Sequence, residues 1–99
     1  MSFTTKINNT IQFDIDGSLD ALAVEILRPN FDALVQNESD VALNLASVQF
    51  IDSSGIGAIV FLFKRLRALE RNLNLIGVHG QPLELLKHLR IDQSISVMS

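Results

Sequence analysis

The sequence predicts a small α/β domain: a mixed sheet of roughly four to five strands with helices packed mainly on one face. Three observations carry this. In Ile11-Gln12-Phe13-Asp14-Ile15-Asp16 every second residue is apolar, the mark of a strand with one wet face. Val41-Ala42-Leu43-Asn44-Leu45 is a short apolar run of the kind found in strands buried on both sides. From Ile56 to Leu69 the apolar residues recur instead at helical spacing.

The elements follow in order. Phe3 to Ile7 favours β structure, and Asn8-Asn9 is a turn signal before the alternating strand Ile11 to Ile15, which Gly17 closes. A helix is expected from about Ala21 to Gln36, with Leu27, Phe31 and Leu34 on one stripe. Pro29 is a misfit there, because it lacks an N–H and its ring clashes with the preceding turn. A late or bent helix start, with Pro29 in the first turn or at a kink, is the favoured resolution. Asn37 to Asp40 reads as a loop and Val41 to Leu45 as the next strand. A long helix should run from about Ser54 to Arg71, ended by Asn72, with a strand from Leu73 to Val78 after it. His79-Gly80-Gln81 is a turn, and Pro82 suits the first position of a last helix through about Leu89. Ile95 to Met98 could add a short edge strand.

A chain of 99 residues suits one domain, taken as 1–99. With 47% hydrophobic and 19% charged residues it can fill a core, which argues against disorder. The formal net charge of −3 disfavours nonspecific binding to nucleic acid or to an anionic membrane. Cysteine is absent, which removes disulfide, thiolate and soft-metal chemistry together. No apolar run approaches the roughly 18 residues of a membrane span, and Met1 to Lys6 lacks the apolar core of a signal peptide, so the cytoplasm is the expected location. Lys64, Arg65, Arg67 and Arg71 are read as the solvated face of one helix.

The most informative segment is Phe50-Ile51-Asp52-Ser53-Ser54-Gly55-Ile56-Gly57, where a strand-like stretch gives way to the long helix. Asp and Ser are preferred N-caps because their oxygens accept from the first free backbone N–H groups. Capping accounts for one of Asp52, Ser53 and Ser54, and leaves two glycines unexplained, each costing roughly 1 kcal/mol relative to Ala in a helix. Close approach by another backbone or by a partner would offset that cost. A serine hydroxyl exposed at a helix N-terminus would also tolerate a phosphate. On the helix itself, Ile59, Leu62, Phe63, Leu66 and Leu69 gather on one stripe as the expected core face. Val60 and Phe61 fall away from it with Gly57, and form a candidate docking patch beside the serines.

The Asp52-Ser53-Ser54-Gly55-Ile56-Gly57 segment, the Gly17-Ser18-Leu19-Asp20 segment before the first helix, and the chain length resemble a STAS domain of the anti-sigma factor antagonist type. That resemblance implies a bacterial protein–protein switch. The first serine after the aspartate, Ser53 here, would be phosphorylated by a partner serine kinase and dephosphorylated by a PP2C-type phosphatase. Unphosphorylated, the chain would bind an anti-sigma factor with serine kinase activity or a related regulator, and phosphorylation would release it. Asp20 and Asp52 would border the site, and Ser54, Gly55, Ile56, Gly57, Val60 and Phe61 would complete the partner-binding surface. ATP would be the kinase's substrate, so no cofactor is expected. Family members often carry Glu or Arg where this chain has Ser18.

Other chemistries find little support in the sequence. A serine nucleophile needs a base within hydrogen-bond reach, and the two candidates, His79 and His88, belong to no recognisable motif; the Gly-x-Ser-x-Gly elbow is absent. Asp14, Asp16 and Asp20 lack the glycine and terminal glutamate of a calcium loop, so no metal is expected. Two rivals from other classes remain. One is a STAS-like adaptor, such as a subunit of a lipid-transport complex, working without phosphorylation. The other is a nucleotide- or lipid-binding module.

Overall fold

The computed structural model describes residues 3–7 and 9–99. Asn8, half of the expected turn, lies outside the described residues; its neighbour Asn9 takes a left-handed φ of 66°, which asparagine tolerates well. The elements run β1 (Phe3–Ile7), β2 (Thr10–Asp16), α1 (Ala21–Gln36), β3 (Asp40–Ser47), α2 (Ser53–Ala68), β4 (Leu73–Ile76), α3 (Gly80–His88), a 3₁₀ turn (Ile91–Gln93) and β5 (Ser96–Val97).

The five strands form one sheet in chain order, β1 antiparallel to β2 and every later neighbour parallel. This order explains the one-sided packing. Each parallel step needs a crossover, crossovers are right-handed, and steps taken in one direction put every helix on the same face. The registers agree. Ile11, Val41 and Leu73 pair across the sheet, as do Phe13, Leu43 and Leu75, and all six are buried beneath the helices. Of the intervening positions Ala42 is buried, while Gln12, Asp14, Asn44 and Asn74 are half-buried. Gln12 and Asn44 both donate to the Asp14 carboxylate, at 3.0 and 3.1 Å, on the face that no helix covers. The strand expected to be buried on both sides therefore carries one polar residue, Asn44, on that side.

Four expectations need correction. First, α1 starts at Ala21, because the Asp20 carboxylate accepts from Ala23 N and fixes the start well ahead of Pro29. Pro29 sits exposed inside the helix, where Leu27, Phe31 and Leu34 hold both flanking turns onto the core and Phe31 meets Phe13 edge to face at 6.2 Å. Second, α2 ends at Ala68, and Glu70 turns the chain with a φ of 57°. Leu69 is thereby 53% exposed and is not a core residue. Third, Arg71 is neither helical nor solvated: its guanidinium is buried and donates to the carbonyls of Leu34, Val35 and Ser39 at 2.6–2.7 Å. Leu34 and Val35 lie in the last turn of α1 and Ser39 just ahead of β3, so Arg71 caps a neighbouring helix at its negative pole and ties down the chain that leaves it. Fourth, Pro82 is the third residue of α3, behind Gly80 and Gln81. A missing N–H is still harmless there, since the first four N–H groups of a helix lack internal partners.

Candidate functional site

The site is built where the parallel strands end and the helices begin. Two aspartates occupy equivalent places. Asp20 caps α1 with φ −111° and ψ −174° and accepts from Ala23 N at 3.0 Å. Asp52 caps α2 with φ −109° and ψ −173° and accepts from Gly55 N at 3.0 Å. The residues just ahead of them, Leu19 and Ile51, form a parallel bridge in which Leu19 N donates to Phe50 O at 2.9 Å and Asp52 N donates to Leu19 O at 3.3 Å. Both side chains are fully buried. The bridge holds the starts of α1 and α2 side by side, so two positive helix ends face the same surface.

A third element joins them. The Gln81 side chain of α3 brackets the peptide groups of Ile51, accepting from Ile51 N and donating to Ile51 O, each at 2.9 Å. Sequence reasoning passed over Gln81, because an amide acting as a surrogate strand has no local signature.

The two glycines of α2 separate cleanly. A Cβ on Gly55 would stand 2.4 Å from Leu19 O and 2.6 Å from Ile51 Cγ1, so only glycine fits against the bridge. Gly57 has open space and is exposed, so no internal contact requires it. Ser53 is the first helical residue and is exposed; Ser54 follows, half-buried. As first-turn residues, both present backbone N–H groups without intrahelical partners. Asp20 reaches this neighbourhood through the Leu19–Ile51 bridge, and Asp52 through the chain.

The expected docking residues divide. Gly55 and Ile56 are buried and can act on a partner only by shaping the helix start. Phe61 is 60% exposed, with the Arg65 guanidinium over its ring at 5.3 Å. It borders a cleft of about 310 Å³ between α1 and α2, beside Gly57, Arg28 and Asp32. Val60 does not share that surface. It is half-buried against the core and opens on the other flank, toward Leu89 and Arg90. A one-residue step on a helix turns the side chain by about 100°, which separates the two. Phe63 is half-buried too, and the core stripe is completed instead by Gly55, Ile56, Ile59, Leu62 and Leu66.

The two histidines lie away from the serines. The His79 ring nitrogen Nε2 lies 2.9 Å from Ala46 O, and His88 is exposed at the end of α3; neither bonds to a serine of the site among the described residues. Among the described residues no group of three acids or histidines could hold a metal ion, and no helix is long and apolar enough to cross a membrane.

A mixed sheet whose parallel strands lead into two aspartate-capped helix starts, bridged together and with an exposed serine at one of them, is the arrangement this chain presents. The chain belongs to the STAS domain family, whose profile matches residues 3–99. It is 31% identical over 77 residues to the anti-sigma-B factor antagonist of Bacillus subtilis, covering 78% of this chain and 71% of that one. Its fold is similar to that of the phosphorylated form of SpoIIAA, a Bacillus cell fate determinant (TM-score 0.76, 18% identity, covering 100% of this chain and 92% of that one). It is also similar to that of a sulfate transporter family protein from Wolinella succinogenes (TM-score 0.80, 16% identity, 95% and 80% covered). Identities this low show the fold alone.

Proposed function

We propose that this protein is a phosphorylation-controlled partner switch of the anti-sigma factor antagonist type. Unphosphorylated, it binds an anti-sigma factor with serine kinase activity, or a related regulator, across the outer face of α2. Transfer of the γ-phosphoryl group of ATP to the Ser53 hydroxyl, inside that complex, ends the binding, and a PP2C-type phosphatase restores it by hydrolysis. The reading needs ATP and a kinase, and so belongs in the cytoplasm.

The observation that carries it is Ser53 itself: an exposed hydroxyl on the first residue of α2, flanked by the capped starts of two helices. Positive helix ends tolerate an added phosphate within the domain. A docked partner does not, because the new charge would lie in the interface next to Asp20 and Asp52. Asp20, Asp52, Ser54 and Gly57 border the contact, Gly55 and Ile56 set its backbone, and Phe61 and Val60 extend it along both flanks of the helix. The Bacillus subtilis relative is named for antagonism of an anti-sigma factor, which supports the same reading. A STAS adaptor of a transport complex shares the fold but gives Ser53 no role.

The test is phosphorylation by the cognate kinase and ATP, read by intact mass, on the wild type and on the Ser53→Ala and Ser54→Ala variants. One phosphate on the wild type and on Ser54→Ala, and none on Ser53→Ala, is expected. Phosphate on Ser53→Ala but not on Ser54→Ala would move the switch to Ser54.

A further inference from the structure

Two grooves flank the outer face of α2, and their charges differ. In the α1–α2 cleft the cations are already matched: Arg65 pairs with Asp32 at 2.7 Å and Arg28 with Glu25 at 2.8 Å. On the other flank a groove of about 230 Å³ lies between α2 and the end of α3 with its 3₁₀ turn. Val60, Phe63, Leu89 and Ile91 line it with apolar surface, and Leu89 is 48% exposed. Its rim carries Lys64 and Arg90, both exposed and neither paired with a carboxylate among the described residues. Arg90 is held there by the turn, with a left-handed φ of 60°. Two unmatched cations over an apolar floor, in a chain of net charge −3, are a local reversal of the overall charge.

We infer that this groove docks a short acidic, aliphatic segment of a protein partner: an aliphatic side chain on the Val60–Leu89 floor, with flanking carboxylates on Lys64 and Arg90. Its volume is below the roughly 300 Å³ at which small-molecule sites begin, which favours one or two side chains over a metabolite. The negative charge on the rest of the chain opposes an extended anionic lipid surface, whereas a short segment meets only the cationic groove. Charge complementarity of this kind selects the partner and speeds its encounter. The inference rests on the reading of α2 as the docking helix, and it adds the chemistry of what lies along one flank.

A random dodecapeptide library selected on the 99-residue chain tests it without any kinase, so its failure and that of the Ser53 switch are read separately. Selected peptides should combine acidic with aliphatic residues and shift the amide resonances of Val60, Lys64 and Leu89. Their affinity should fall about tenfold in a Lys64→Gln/Arg90→Asn variant, asparagine being chosen because it accepts the left-handed turn. Thermal unfolding of that variant should match the wild type. Peptides without acidic bias, or with affinity unchanged in the variant, would overturn the proposal. Saturable binding of decanoate or of phosphatidylglycerol vesicles at these residues in place of the peptides would overturn it in favour of a lipid. Self-association abolished by the same substitutions would assign the groove to a second copy of the chain.

Discussion

Leu19 and Ile51 meet as a parallel β-bridge, and each is the residue immediately ahead of an aspartate that caps a helix. The relative position of the two helix starts is therefore set by backbone hydrogen bonds between residues 32 apart in sequence. The reading of Ser53 depends on that arrangement, because it sets the start of α1 beside the start of α2, whose first residue is Ser53.

The bridge makes the two glycines of α2 unequal. Gly55→Ala would drive a methyl into the Leu19 carbonyl, and overpacking of this kind costs typically about 1–3 kcal/mol. Against it stands a helix-propensity gain of roughly 1 kcal/mol. Thermal unfolding should show a net loss for Gly55→Ala and a neutral or raised midpoint for Gly57→Ala, which meets open space. Equal behaviour of the two variants would mean that the bridge relaxes freely.

Arg71 satisfies three carbonyls where α1 ends and β3 begins. Arg71→Met keeps the stem and strips the donors, leaving those oxygens without their charged partner. Hydrogen bonds to a charged group contribute about 1.5–3 kcal/mol, so urea denaturation should show a loss of ~2–3 kcal/mol. Arg71→Lys should recover only part of it, since an ammonium cannot reproduce the guanidinium fork. Full recovery by lysine would reduce the role of Arg71 to charge alone.

Phe61→Glu removes an exposed ring and places a carboxylate beside Arg65. Surface changes usually shift stability by about 0.5 kcal/mol, so the fold should survive. Partner affinity, measured by titration calorimetry, should fall by roughly 2 kcal/mol, about 30-fold, if Phe61 is an interface hot spot. A collapse of thermal stability would instead make the ring part of the domain's own packing.

Phosphorylation of Ser53 adds about 1.5–2 negative charges, partly compensated by the helix end at roughly 0.3–1 kcal/mol. The unfolding midpoint should move by only a few degrees. Binding to the kinase partner should fall by ~2–3 orders of magnitude, since like-charge juxtaposition across an interface costs several kcal/mol. Ser53→Asp should reproduce part of that loss, having fewer acceptor oxygens, and Ser53→Ala should bind as the wild type does. An unchanged affinity in the phosphorylated protein would remove the switch.

Much of the fold was legible because its signals are local. The period-two pattern of Ile11 to Ile15 and the helical spacing of Leu27, Phe31 and Leu34 survive in the structure as the buried faces of β2 and α1. The sites that were misread share a different cause. Pro29 has a strong local preference against a helix interior, and the Asp20 cap with the core contacts of Leu27 and Phe31 outweighs it. Arg71 continued the helical run of basic residues by composition, yet its environment is the end of another helix.

By itself the sequence determined the main helices and strands, the wet face of the strand Ile11 to Asp16, and a serine-bearing turn between strand and helix, because side-chain periodicity and capping preferences act over a few residues. Only the tertiary structure decided that Gly55 is a steric necessity while Gly57 is not, that Val60 and Phe61 face different grooves, and that Gln81 and Arg71 act as surrogate backbone partners. These depend on which groups the crossovers bring together across the sheet. Contacts between residues distant along the chain leave no periodic trace in it.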